Sequence, residues 1–145
     1  MSPTASISEK LRVLETSLSI LSNRQDRLAW ITRHARSFPP LPPELKTDPH
    51  LVPGCLARTW LVSTFSAPRC HFQADSESAI IRGIAVLLCD LFSDQTPTEI
   101  LSIDPRFLEK FGIDQHLTPN RRNSLATLFQ QIRAFSAAHN AEEKV

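Results

Sequence analysis

Cys55 is the residue best placed for chemistry in this chain. It closes the turn-like tetrapeptide Val52-Pro53-Gly54-Cys55 and stands directly before a strand-like run, Leu56 to Val62. Pro53 fixes its own φ and has no backbone N–H to donate. Gly54 permits a left-handed turn. Together they predict that Cys55 lies where regular structure is interrupted, open to solvent. A thiol held there can serve as a nucleophile, a sulfur carrier or a metal ligand, because access and thiolate character set its reactivity. No cationic residue adjoins it, and Arg58, three positions on, reaches it only if the fold turns back. A small residue chosen to pack a turn is the structural alternative.

The other candidates read differently. Cys70 alternates with Phe72 on a strand face, and Cys89 lies in an apolar helix. Buried free cysteines behave as small hydrophobes. The three cysteines show no paired spacing of the kind zinc sites use. The five histidines, His34, His50, His71, His116 and His139, form no zincin-type helical pair. His50 is nearest to Cys55 in sequence, so a Cys–His hydrolase needs the fold to join them. Asp75 suits a helix N-cap at a strand-to-helix junction. Arg121 falls in the first turn of a helix, facing the positive dipole end, and a partner carboxylate would explain it better than solvation. The three glycines are far apart, so no phosphate loop is present.

The elements that position these residues can be read from caps and periodicity. Ser6 and Glu9 make a capping box before Ile7, Leu11, Leu14, Leu18 and Leu21, which recur at helical spacing. Asn23 caps a second helix whose buried face carries Leu28, Ile31, Ala35 and Phe38. A connector rich in proline, Phe38 to Pro43, follows and is expected to be extended and semi-rigid. Leu56 to Phe65 reads as a strand, with Trp60, Val62 and Thr64 on one face and Leu61 and Phe65 on the other. Ser66-Ala67-Pro68 is a turn, and Arg69 to Ala74 an antiparallel partner. From Asp75-Ser76 a nearly all-apolar central helix runs to Phe92. Thr96-Pro97-Thr98-Glu99 caps a short helix. Asp104-Pro105 opens another, which Gly112 closes. Thr118-Pro119 opens the last, with Leu125, Leu128, Phe129, Ile132 and Phe135 as its stripe, and the chain after His139 should fray. The fold class is α+β: a small antiparallel sheet of about three strands, packed on one face by several helices.

A chain of 145 residues implies one domain, residues 1–145. A hydrophobic fraction of 41% supports a core, and a net charge of +1 offers no footprint for nucleic acid or anionic membrane. The longest apolar stretch, Ala79 to Leu91, is broken by Arg82 and Gly83 and is too short to span a bilayer. No signal-peptide pattern opens the chain. An odd cysteine count without a disulfide framework fits a reducing, cytoplasmic setting.

Four stretches, in order, resemble the SufE/CsdE family of cysteine-desulfurase sulfur acceptors. They are Val52-Pro53-Gly54-Cys55 with Trp60, Asp75-Ser76 with Ile80-Ile81-Arg82-Gly83, Gln95 to Ile100, and Gln115 to Arg121. The resemblance covers about residues 21–135. It implies a fold similar to IscU-type scaffolds. It also implies that Cys55 takes persulfide sulfur from a PLP-dependent, SufS/CsdA-like cysteine desulfurase and passes it to a downstream iron–sulfur scaffold complex, stimulating the desulfurase. The family binds no cofactor of its own. Asp75, His116 and Arg121 match family positions and are carried over, with Trp60, as partner-contact or loop-supporting residues. The chain departs from the family in Leu56 and Ala57, where Gln and Ser are common, and in Ala74, where Gly commonly precedes the aspartate.

A persulfide is easily lost to reductants, so a carrier should shelter its thiol when idle, and Leu51, Val52 and Leu56 flank Cys55 to do so. The competing readings are a metal-binding iron–sulfur scaffold of the related fold, an adaptor without sulfur chemistry, and a cysteine hydrolase. Either a monomer or a homodimer is compatible with the sequence.

Overall fold

The computed structural model describes residues 6–107 and 117–144. The chain opens with α1 (Ile7–Ser19) and α2 (Arg24–Arg36). Ser6 Oγ accepts from the Glu9 N–H at 3.2 Å, and Asn23 Oδ1 from the Asp26 N–H at 2.8 Å. Each bond satisfies one of the N–H groups a helix start leaves open. Ile7, Leu14 and Leu18 of α1 and Ile31 and Ala35 of α2 are buried, as their spacing predicts. Leu11, Leu21 and Leu28 are only partly covered.

The hairpin comprises β1 (Thr59–Ser66) and β2 (Arg69–Ser76), paired from Thr59↔Ser76 through Trp60↔Asp75 to Ser66↔Arg69. Leu56 to Arg58, expected to begin the strand, belong to the loop instead. The described residues hold two strands where about three were expected. A single-residue bridge stands at each edge, Leu51↔Trp60 and Cys70↔Gln95. Neither bridge grows into a strand. Pro53 cannot donate to a ladder beyond Leu51, and the Thr96-Pro97 helix start follows Gln95 at once.

Behind the sheet runs α3 (Ala79–Phe92), buried along most of its length and packed on α2, β2 and α5. Its contact with α2 is close: a Cβ on Gly83 would stand 3.0 Å from Ile31 Cγ2. The Lys10 ammonium reaches from α1 to the carbonyls of Asp90 and Ser93 (2.7 and 3.1 Å), where the dipole of α3 favours a cation. Burial lowers the Lys10 pKa against the opposing pull of Asp90 and Asp94. The short helix α4 (Pro97–Leu101) carries the full capping box of Thr96 and Glu99. The predicted segment from Asp104-Pro105 to Gly112 lies mostly outside the described residues. Then α5 (Pro119–Ala138) starts at a Thr118 cap and buries Leu125, Leu128, Phe129 and Ile132. A 3-10 helix, Asn140–Lys144, follows where fraying was expected.

The two faces of the hairpin are covered by different material. Leu61, Cys70, Phe72 and Ala74 join the main core with the helices. Trp60 and Val62 face the other way and form a second small cluster with Leu41, Leu45 and Leu51. The proline-rich connector therefore covers that second face. It is held there by 3-10 turns at Pro43–Leu45 and Asp48–His50. Among the described residues no helix is long and apolar enough to cross a membrane.

Candidate functional site

Residues 53–58 form a loop closed at its base. The Val52 N–H donates to the Thr59 carbonyl at 2.8 Å, beside the Leu51↔Trp60 bridge. Gly54 adopts φ +80, a conformation that favours glycine, and Pro53 and Gly54 are exposed. Cys55 follows them half-buried, with its side chain against the main core. Val52 is buried and Leu51 half-buried beneath the loop. Leu56 is different: it is 82% exposed. Leu56 joins neither hydrophobic cluster, whereas Cys55 packs on the main core.

The far end of the loop is pinned to the start of α3. The Arg58 carbonyl accepts from the Glu77 N–H at 3.0 Å, and Thr59 Oγ1 lies 2.9 Å from Ser76 Oγ. The Arg58 guanidinium grips Glu77 through two bonds of 3.2 and 3.0 Å. That hydrogen-bonded pairing raises the Arg58 pKa and lowers that of Glu77. Arg58 is therefore committed to Glu77 and does not turn back onto the thiol. Among the described residues no hydrogen bond joins a histidine to Cys55.

Asp75 is not a helix cap. It sits in β2 opposite Trp60, and Ser78 caps α3 by accepting from the Ile81 N–H. The Asp75 residue is only 4% exposed. Its carboxylate accepts from the Leu41 N–H at 3.1 Å and the Ser76 N–H at 2.8 Å. It also pairs with Lys46 Nζ at 3.2 Å and Arg82 Nε at 3.1 Å. Burial pushes its pKa up, but the bonds from Ser76, Lys46 and Leu41 outweigh this and hold it below the usual carboxylate range. Arg82 also donates to the carbonyls of Ala35 and Phe38 at 2.9 and 3.2 Å. The cluster ties β2, α3, the end of α2 and the connector together. Trp60 lies on the same face, with Lys46 Nζ 5.6 Å and Arg58 Cζ 6.0 Å from its ring centre.

Arg121 does come to the loop. A cleft of about 230 Å3 opens beside it, lined by Leu56, Ala57, Ser78, Ile81, Asn120 and Arg121 among others. Arg121 has no carboxylate partner among the described residues, and its N–H bonds the Thr118 cap at 3.4 Å. His116 lies outside the described residues. Arg82 stands in the same sequence motif as Asp75, whereas Leu41 and Lys46, which also hold Asp75, carry no such mark in the sequence. The signal for Leu41 and Lys46 is a strand with apolar groups on both faces beside a proline-rich connector.

The remaining thiols belong to the core. Cys70 is 0% exposed, and burial pushes the Cys89 pKa well up, with Asp90 adding to it. Cys70 pairs with Phe65, six residues along β1 from Thr59, or roughly 20 Å at strand spacing. Among the described residues no three metal-ligating side chains converge.

Two comparisons bear on this arrangement. A solution structure of a hypothetical protein from Thermus thermophilus superposes with a TM-score of 0.69, covering 91% of this chain and 93% of that one at 16% identity. It shares the α+β fold. Residues 13–136 match the family described as SufE, an Fe-S metabolism associated domain, and that span includes the Cys55 loop, the Asp75 cluster and Arg121. The chain belongs to the SufE family of iron–sulfur metabolism domains.

Proposed function

We propose that this chain carries sulfur on Cys55. It accepts the sulfur from a PLP-dependent, SufS/CsdA-like cysteine desulfurase, which it stimulates, and delivers it to a downstream iron–sulfur scaffold in the reducing cytoplasm. The observation that carries this reading is the contrast between thiols. Cys55 alone of the three has solvent access, at the tip of a loop pinned at its base, while Cys70 and Cys89 are buried. Membership of an iron–sulfur metabolism family supplies the context.

The chemistry is an exchange at sulfur. The Cys55 thiolate attacks the outer sulfur of the donor's persulfide. A new S–S bond forms on Cys55 Sγ, the donor's S–S bond breaks, and the donor cysteine leaves as its thiolate. No outside oxidant or reductant is consumed. The rate depends on the thiolate fraction, the leaving thiol and access. Repeating the exchange with an acceptor thiol unloads the carrier.

Three residues support the loop in this role. Trp60 and Asp75 fix the strand from which the loop springs. Arg121 forms the opposite wall of the cleft beside Leu56 and Ala57, where a partner carboxylate can meet it.

Mass spectrometry after incubation with a desulfurase and cysteine tests the proposal. One added sulfur atom on Cys55, absent from Cys55→Ala, is the expected result. Unmodified Cys55 under those conditions would sink it. Cys55→Ala should leave the fold intact and abolish uptake.

A further inference from the structure

We propose that Leu56 is the hydrophobic anchor by which the sulfur donor seats this carrier, and that it sets the donor's affinity. The inference rests on the sulfur-carrier reading above and deepens it. Three large apolar side chains stand exposed among the described residues: Val13, Ile20 and Leu56. Only Leu56 adjoins the thiol. Adjacent Cα atoms are about 3.8 Å apart, so a protein that reaches Cys55 Sγ must also meet residue 56. The two side chains differ in depth as well. Cys55 packs on the core, while Leu56 projects at 82% exposure. A partner seated on the thiol therefore has Leu56 within its footprint.

What the partner must offer follows from the chemistry of that side chain. An exposed leucine gains when it leaves water for an apolar recess. The cleft beside it is lined by Ser78, Asn120 and Arg121 together with Ala57 and Ile81, and the charged pair of Arg58 and Glu77 flanks the loop's end. An exposed apolar side chain beside a partly apolar cleft, with polar and charged groups at its edge, fits the usual anatomy of an interface centre. The donor's active-site mouth accordingly carries an apolar recess next to its persulfide.

The experiment uses the full chain and the cysteine desulfurase that loads Cys55. Desulfurase turnover is measured against carrier concentration, and the lifetime of the Cys55 persulfide on the isolated carrier is measured in dithiothreitol. Leu56→Ser should raise the half-saturating carrier concentration about tenfold, the cost expected from one leucine left in water. The maximal rate and persulfide lifetime should stay within about twofold of the parent. Leu56→Met should restore affinity, and Ile20→Ser, equally apolar and 79% exposed, should change nothing. An unchanged half-saturation in Leu56→Ser overturns the proposal. A shortened persulfide lifetime with unchanged half-saturation also overturns it, making Leu56 a cover for the thiol. Should the parent chain acquire no sulfur on Cys55, the sulfur-carrier reading itself has failed, a result distinct from either of these.

Discussion

At the residue scale, Asp75 decides more than its position in the sequence suggests. Its carboxylate gathers two backbone N–H groups, an ammonium and a guanidinium at one buried point. Removing one member of such a set strands the others, at a cost of about 3 kcal/mol. Asp75→Asn should destabilise the protein by about that amount at pH 7. The folded carboxyl titrates below its unfolded value near pH 4, so its contribution is fully present above about pH 4. It is lost as pH falls further, through the folded value. Urea unfolding of both proteins at pH 7 and pH 3 should therefore show the gap narrowing in acid, and a gap independent of pH would contradict the assignment. Sequence reading marked Asp75 as a cap because aspartate caps well, but Ser78 does so equally and lies three residues closer to the helix. The true partners, Leu41 and Lys46, are more than 25 residues away in the chain, beyond the reach of local pattern.

At the element scale, the Cys55 loop depends on Gly54. A Cβ there meets nothing within 4 Å, so the cost of adding one is conformational alone. At φ +80, Gly54→Ala should cost about 1 kcal/mol of stability. It should also slow sulfur uptake on Cys55 by changing how the thiol is presented, which the mass-spectrometric assay can time. A parent-like rate would show that the turn tolerates a side chain. The caps at Ser6, Asn23, Thr96 and Thr118 were legible because each is a contact over three residues. The strand count was not, since whether an edge bridge lengthens depends on the chain that arrives beside it. The connector's role over Trp60 and Val62 was half legible. A strand apolar on both faces announces a cover without saying what supplies it.

For the whole molecule, the hairpin separates Cys55 from Cys70 by its own length, and Cys89 is buried in α3. Native protein treated with a bulky thiol reagent should be modified quickly at one cysteine, and at all three only after denaturation. Fast modification of Cys70 or Cys89 in the native state would contradict the packing around them. The closed base of the loop carries a mechanical consequence. Cys55 is three residues from Val52, whose N–H is fixed to Thr59. Fully stretched, that tether spans roughly 10 Å. While that bond holds, the thiol stays within that reach of Val52. If the same sulfur is to be received and handed on, giver and taker should dock on overlapping patches around this loop, and competition between the two for the carrier is the expected outcome.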